Sequence, residues 1–174
     1  MKYVEGNLID MAESGDFDII VHGCNIFNTF GSGIAAEIRE RVPQAYEADC
    51  LTLKGDKRKL GLFTWATMES GCSVHNLYTQ GTMGRNGVHV DYDAIERGFL
   101  QIKMIEQSSG VGFRVGIPKI GAGLGGGDWD RIESIIDAME LSDVTCVVLP
   151  GTPGESIEVD CTPDFDDDPD IASR

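Results

Sequence analysis

Two glycine-rich segments contain the residues best suited to hold a ligand. Residues 121–127 read Gly-Ala-Gly-Leu-Gly-Gly-Gly and stand between a predicted strand and a predicted helix. Such a turn points unpaired backbone N–H groups at an anion, and glycine lets the ligand come close, although alone it could be a ligand-free turn. Residues 25–35 repeat the order of strand, polar glycine-containing loop and helix. Two such loops at one sheet edge predict a cleft for a diphosphate or a nucleotide.

Histidine and aspartate beside these loops are candidates for proton transfer. His22 ends the strand before the first loop, where it could act as a general base or acid, or be a satisfied histidine of the core or cleft wall. Asp128 follows the second loop and could orient a water or protonate a leaving group, or simply cap a helix. Further candidates near the same edge are Gln80, Arg85 and His89, although Arg85 could be a solvated loop residue.

Alternating apolar runs and helical patterns predict the elements that position these residues. Residues 18–24 contain a continuous apolar run, typical of a strand buried on both faces. Residues 91–107 carry Ile95, Phe99, Ile102 and Ile105 on one helical stripe. The alternation predicts an α/β fold, with a largely parallel mixed sheet flanked by helices on both faces. The other elements are predicted as helices at 32–42, 43–53 and 128–139 and strands at 60–68, 73–80, 114–120 and 144–150.

Composition and charge limit the classes of function. The chain has 174 residues, which suits one domain with a substantial core. Acidic residues outnumber basic ones 29 to 14, and the net charge of −15 disfavours a nucleic-acid surface or docking on an anionic membrane. No apolar run is long enough to span a bilayer, and acids interrupt the first residues where a signal peptide needs an apolar stretch. We therefore expect a cytoplasmic monomer.

Several conspicuous side chains are expected to be structural. The cysteine count is odd and no pair has CxxC spacing, so neither a disulfide framework nor a zinc site is predicted. His75 lies inside a strand pattern, and Trp65 and Trp129 are expected to pack. Most of the cysteines are interpreted as small reduced core residues; they are Cys24, Cys50, Cys72, Cys146 and Cys161.

The composition changes near Pro150. Residues 151–174 hold eight acids and one base, which supply −7 of the net charge. This pattern predicts a domain over residues 1–150 and an acidic C-terminal tail over 151–174. The tail is either solvated or a specific arm that packs on the body or contacts a partner.

Four segments together resemble the macrodomain family, whose members bind ADP-ribose. The resemblance covers residues 2 to 149 in the right order of elements. It implies a three-layer α/β fold and a small-molecule ligand of the ADP-ribose type. Within the family, the sequence of these segments is similar to the branch of ADP-ribose 1″-phosphate phosphatases and ADP-ribosyl hydrolases. The segments that carry it are residues 3–8, 19–25, 31–35 and 117–129.

The resemblance also implies roles for individual residues. Asn25 would reach the hydroxyls of the distal ribose. Together with His22 and Asp128, which are candidates by their type and position, it completes the predicted catalytic set. Asn7 and Leu8 would line the adenine side, where Asn7 replaces the aspartate of many relatives. Backbone groups of the two loops would hold the phosphates, from Gly31, Ser32, Gly33 and Ile34 in the first and from Gly121, Ala122, Gly123, Leu124 and Gly125 in the second.

Two departures from the family bear on the reaction. The branch that cleaves ADP-ribose from glutamate or DNA bases has a lysine that residues 78–82 lack, and Gly125 stands where some of those enzymes have an aspartate. A covalent mechanism through a Schiff base therefore lacks its nucleophile there. This favours either plain binding or phosphatase chemistry, which would remove the 1″-phosphate from ADP-ribose 1″-phosphate. Because no carboxylate cluster demands magnesium, we expect a reaction without a metal or cofactor. A hydrolase of ADP-ribose on protein or nucleic acid and a non-catalytic binding module stay open as alternatives.

Overall fold

The structure is a computed structural model that describes residues 1–84 and 87–151. Six strands form one sheet in the order β1-β6-β5-β2-β4-β3. The strands are β1 Lys2–Glu5, β2 Ile19–Asn25, β3 Phe63–Thr67, β4 Ser73–Gln80, β5 Arg114–Ile117 and β6 Asp143–Val148. The helices are α1 Leu8–Glu13, α2 Gly33–Arg41, α3 Pro43–Cys50, α4 Tyr92–Ser109 and α5 Trp129–Asp137, with a short 3-10 helix at Lys57–Lys59.

The sheet is parallel except for its edge strand β3. In the centre, β2 pairs in parallel with β4 and β5, and Val21 faces His75 across the β2–β4 ladder. β3 runs antiparallel to β4 because the two are joined by a tight turn, closed by the Met68 N–H donating to the Cys72 carbonyl at 2.8 Å. The carboxyl ends of β2, β4, β5 and β6 therefore lie at one edge of the sheet, and the loops that follow them meet there.

Each face of the sheet has its own apolar core. On one face α1, α2 and α3 cover a core that includes Ile9, Ile20 and Ile38. On the other, α4 and α5 cover a core that includes Phe99 and Ile132. Alternate residues of β2 supply both cores, because successive strand side chains point to opposite faces. The predicted three-layer α/β fold is confirmed.

The predicted elements match the structure except at ends and in short segments. The predicted strand 114–120 stops at Ile117, since Pro118 has no N–H to continue the ladder. The six-residue helix α1 was not predicted from periodicity because it spans less than two turns. No helix in the described ranges is long and apolar enough to cross a bilayer. Apart from Gly151, the predicted acidic tail lies outside the described residues, and its role stays a prediction.

Candidate functional site

A cleft opens where β2, β4 and β5 end. Its volume is 390 Å³, and both glycine-rich loops line it. A second cavity of 370 Å³ lies at the opposite edge, around Met1 and Asp137, and no glycine-rich loop lines it. The lining of the first cleft is Gly23, Cys24, Asn25, Thr29, Gly31, Ser32, Gly33, Ile34, Ala35, Gln80, Met83, Gly84, Pro118, Lys119, Ile120, Gly121, Gly123, Leu124 and Gly125.

The first loop, residues 25–33, is shaped by side chains. The Asn25 Oδ1 accepts from the Phe27 N–H at 2.9 Å, and its Nδ2 donates to the Thr29 hydroxyl at 2.8 Å and the Thr29 carbonyl at 3.2 Å. Asparagine suits such a turn because its amide can accept and donate at once. Asn25 thus lines the cleft as predicted and also fixes the loop that carries it.

The amino terminus of α2 opens into this cleft. Ser32 holds the N-cap position with an extended backbone, but its side chain forms no capping hydrogen bond among the described residues. The first N–H groups of a helix have no intrahelical acceptor, so those of Gly33, Ile34 and Ala35 lack one. All three residues line the cleft, and the helix dipole adds partial positive charge there. This end of the cleft can therefore bind an anion.

The second loop, residues 121–127, is held by backbone hydrogen bonds. The Gly127 N–H donates to the Gly121 carbonyl at 2.9 Å, and the Gly125 carbonyl accepts from the His89 N–H at 2.8 Å. A Cβ at Gly125 would stand 2.5 Å from the Gly121 carbonyl oxygen, whereas a Cβ at Gly123 would meet nothing within 4 Å. Glycine is therefore required at Gly125 by the loop itself, while Gly123 leaves open space in the cleft.

His22 lies beneath the floor of the cleft and does not line it. The ring is 1% exposed, and Phe30 packs edge-on against it at 5.2 Å between centroids. Its Nε2 is 2.8 Å from the Asn76 Oδ1, while the Asn76 Nδ2 donates to the Ala45 carbonyl and the Thr64 hydroxyl. Because Oδ1 only accepts, the proton is assigned to Nε2, leaving Nδ1 3.7 Å from the Cys24 thiol.

Burial lowers the pKa of His22 from 6.5 to about 4, and the hydrogen bond that its Nε2 donates to Asn76 opposes this only in part. The imidazole is therefore neutral at pH 7. Burial likewise raises the pKa of the neighbouring Cys24 thiol well above its usual value. Neither group is charged near neutrality, so the pair differs from an activated thiolate and imidazolium. The predicted catalytic role of His22 stays a prediction, and this environment favours an orienting role.

Asp128 caps the amino terminus of α5, which was one of the two roles expected from its position. Its Oδ1 accepts from the Arg131 N–H at 3.3 Å and caps α5, and its own N–H donates to the Tyr92 hydroxyl at 2.9 Å. The side chain is outside the cleft lining. The structure thus gives Asp128 a capping role, and a role in catalysis stays a prediction.

Asn7 and Leu8 lie away from the cleft lining. The Asn7 Oδ1 caps α1 by accepting from the Ile9 N–H at 2.8 Å, and its Nδ2 donates to the Glu37 carboxylate at 2.9 Å. Leu8 is 4% exposed and belongs to the core. The Asn7 amide is thus engaged within the protein, and the adenine role predicted for Asn7 and Leu8 stays a prediction.

A third wall follows β4. Gln80, Met83 and Gly84 line the cleft here. The Thr82 hydroxyl and His89 Nδ1 are 2.8 Å apart and close the loop. The candidate Arg85 lies outside the described residues. Of the other predicted loop candidates, Gln80 is in the cleft, while His89 supports the second loop through its backbone.

Lys119 is a site residue that the sequence reasoning missed. It is the one charged side chain among the described residues that line the cleft. Its Nζ lies 5.9 Å from the centre of the Trp129 ring, which helps to place the long side chain. The sequence held a signal: Lys119 lies two residues before the second glycine-rich loop, where a local cation would favour an anionic ligand in a chain with a net charge of −15.

The cysteines and potential metal ligands are placed as follows. Cys24, Cys72 and Cys146 are buried and reduced, and Cys50 is exposed, whereas Cys161 lies outside the described residues. Burial is the largest cause of the raised pKa values of Cys72, about 11, and Cys146, about 12. Within residues 1–84 and 87–151, no three His, Cys, Asp or Glu side chains converge to hold a metal ion.

Sequence comparison finds two relatives of this chain among known proteins. The chain is 35% identical over 143 residues to an uncharacterized 17.5 kDa protein of bacteriophage T4, covering 79% of this chain and 88% of that one. It is 25% identical over 167 residues to an ADP-ribose 1″-phosphate phosphatase of Lodderomyces elongisporus, covering 86% and 98%. No family model matches the sequence.

Solved structures define the class of fold. The macrodomain of Mycobacterium tuberculosis DarG superposes with a TM-score of 0.66 at 20% identity, over 87% of this chain and 97% of that one. Thermosipho africanus DarTG, solved in complex with ADP-ribose, superposes with a TM-score of 0.65 at 15% identity, over 90% and 43%. The architecture is that of a macrodomain. The resemblance to macrodomains noted in the sequence is confirmed at the level of the fold.

Proposed function

We propose that the chain binds ADP-ribose in this cleft and removes the 1″-phosphate from ADP-ribose 1″-phosphate. One observation carries the proposal: two loops with ligand-accessible backbone face each other across 390 Å³, one of them ending in the uncapped amino terminus of α2. Paired anion sites of this kind suit a diphosphate. The name of the Lodderomyces relative and the ADP-ribose in the DarTG complex support the choice of ligand.

Charge determines how such a ligand can be held. ADP-ribose carries negative charge into a protein with a net charge of −15, so binding must depend on local donors. The N–H groups of the α2 terminus and the Lys119 ammonium are those donors. Lys119 follows β5, and Ser32 and Gly33 follow the neighbouring strand β2, so both sources of positive charge are available to the proposed diphosphate.

The proposed reaction places few demands on side chains. Water attacks the phosphorus, the bond from phosphorus to the anomeric oxygen breaks, and a proton passes to that oxygen, giving ADP-ribose and phosphate. Phosphoryl transfer of this type depends mostly on positioning and on donors for the phosphate oxygens. No carboxylate or imidazole stands among the described lining residues. His22 is proposed to hold the floor in shape through Asn76 and Cys24.

Titration calorimetry and phosphate release test the proposal together. We expect ADP-ribose to bind more tightly than ADP or ribose 5-phosphate, because the cleft spans both loops. We expect phosphate release from ADP-ribose 1″-phosphate by the wild type. His22→Gln, whose amide can still donate to Asn76, should keep substantial turnover if His22 orients the floor and lose it if His22 transfers the proton. Equal affinity for the three ligands would contradict an extended cleft.

A second candidate is a hydrolase that removes ADP-ribose from a macromolecule. Lys119 favours it, since a primary amine in the cleft can attack the anomeric carbon and form a Schiff base. Borohydride reduction with ADP-ribose should then add a stable mass to the wild type and none to Lys119→Met. Binding without turnover or trapping would leave the non-catalytic module as the function.

A further inference from the structure

We propose that Lys59 is a positioning residue for the cleft: its buried ammonium holds Asn28, and through Asn28 it fixes the shape of the first loop. This inference rests on the proposed ligand. Lys59 is 7% exposed, and neither it nor Asn28 lines the cleft. Any effect of Lys59 on binding must therefore pass through the loop between them and the ligand.

The ammonium is held by a set of polar groups behind the loop. The Lys59 Nζ donates to the Asn28 Oδ1 at 3.0 Å and to the Thr52 hydroxyl at 2.8 Å. It lies 4.5 Å above the Tyr78 ring and 4.0 Å from the Asp49 carboxylate. A buried lysine needs such partners because an isolated ammonium is costly to remove from water. Here one of the partners belongs to the first loop.

Asn28 is the residue through which the loop is attached. Its φ of 56° is in the left-handed region, which asparagine tolerates better than most residues. Its Nδ2 donates to the Asp49 carbonyl and, at 3.0 Å, to the Thr52 hydroxyl, so the whole amide is engaged. The next residue, Thr29, lines the cleft and bonds to Asn25. Releasing Asn28 would free the middle of the loop.

The ion pair itself gives little reason to expect a gain in stability. Asp49 is fully buried, its Oδ1 accepts from the Tyr78 hydroxyl at 2.6 Å, and its Oδ2 has no hydrogen-bond partner among the described residues. Burial raises the pKa of Asp49 and lowers that of Lys59, each opposed by the other's charge. Buried pairs of this kind are often no more stable than apolar replacements, and fixing one geometry is a role left for them.

A pair of variants separates positioning from stability. Lys59→Met keeps the length of the side chain but leaves the Asp49 charge unpaired, so both stability and affinity for ADP-ribose should fall. Lys59→Met with Asp49→Asn removes the unpaired charge and keeps the acceptor for Tyr78. We expect the double variant to regain most of the lost stability and still bind ADP-ribose about tenfold more weakly, since the Asn28 Oδ1 has lost the ammonium that held it.

The control for general destabilisation is Glu106→Gln. Glu106 is 5% exposed, and its Oε1 accepts from the Phe113 N–H at 2.9 Å at the far edge of the sheet. This variant should unfold more easily and keep the wild-type affinity when measured well below its melting temperature. If the Lys59/Asp49 double variant regains affinity along with stability, Lys59 is merely structural and the inference is overturned.

Amide NMR distinguishes this failure from failure of the proposed function. In the double variant without ligand, we expect shifted amide resonances for residues 27–33 and unchanged ones for residues 121–127. Unshifted resonances in the first loop would overturn the positioning role whether or not ADP-ribose binds. Shifted resonances with no ADP-ribose binding by the wild type would keep Lys59 as the anchor of the loop and reject the ligand instead.

Discussion

The two glycine-rich loops face the same cleft but are held in opposite ways. The first depends on side chains: Asn25 bonds across its turn, and Asn28 is anchored by Lys59 from behind. The second depends on the backbone, with Gly127 bonded to Gly121 within the loop. Similar sequence patterns of strand, glycine-rich turn and helix thus produce two different physical solutions.

This difference determines which substitutions each loop tolerates. A Cβ at Gly31 in the first loop would meet nothing within 4 Å, so the loop should accept one there. In the second loop, a Cβ at Gly126 would stand 2.4 Å from the Gly87 carbonyl oxygen, and Gly125 is equally crowded. The first loop should therefore be broken by removing hydrogen-bonding groups, and the second by adding a single methyl group.

The largest effect is expected from Gly125→Ala. The new Cβ would lie 2.5 Å from the Gly121 carbonyl oxygen, so the backbone must move. Overpacking of this kind costs about 1–3 kcal/mol, and displacement of the loop should weaken ADP-ribose binding about 100-fold. Urea unfolding and titration calorimetry measure the two effects.

Gly123→Ala is the matched control in the same loop. Its Cβ has open space, so the free energy of unfolding should change by no more than about 0.5 kcal/mol. Affinity should still fall, because the Cβ occupies space that the ligand needs. Wild-type affinity in Gly123→Ala would mean that the second loop does not contact the ligand. Wild-type stability in Gly125→Ala would contradict the claim that an added methyl group disrupts the second loop.

Asn25→Asp should break the first loop without adding bulk. The carboxylate can still accept from the Phe27 N–H but can no longer donate to the Thr29 carbonyl, and it places negative charge in an anion site. We expect a loss of about 2 kcal/mol in binding, more than tenfold in affinity, partly relieved by salt. Thr29→Val, which removes one hydroxyl partner and adds no charge, should lose less. Equal losses in both variants would show that charge is unimportant here.

Lys119→Met should reduce the affinity for ADP-ribose by a smaller factor, without disturbing either loop. It removes the one charged side chain among the described lining residues, and affinity for ADP-ribose should fall about five- to tenfold, with a shallower salt dependence. Lys119→Arg should keep most of the affinity. Lys2→Met changes the net charge equally but lies at the opposite sheet edge, where Lys2 pairs with Asp143. A similar loss in Lys2→Met would assign the effect to net charge.

Most of the contacts that hold the first loop in place could not be predicted from the sequence. Periodicity predicted five of the six strands and four of the helices, and the glycine patterns located both loops, because these signals are local. The contacts of Lys59 join residues 28, 52 and 59, whose proximity depends on tertiary packing. His22 was predicted at the right edge, but its depth beneath Phe30 is decided by how the loop folds back over the strand. Capping by Asp128 was one of two stated alternatives.

The last contrast concerns acid, which should act through a buried imidazole, that of His22, under the first loop only. Burial lowers the pKa of His22 and of His75 from 6.5 to about 4. Below pH 6.5 the two imidazoles therefore bind protons in the unfolded chain but not in the folded chain. The free energy of unfolding should fall as the pH drops toward 4, by about 1.4 kcal/mol per pH unit for each ring.

The His75→Phe variant isolates the contribution beneath the first loop. His75 stacks on Phe63 at 4.5 Å, and its Nδ1 has no hydrogen-bond partner among the described residues, so phenylalanine should fit with little loss. In urea titrations at pH 7, 6 and 5, the variant should lose about half of the part of the slope due to histidine. What remains belongs to His22, and adding His22→Gln should remove it. If neither substitution changes the slope of unfolding free energy against pH, the acid sensitivity arises from carboxylates. The two loops would then not differ in their response to protonation.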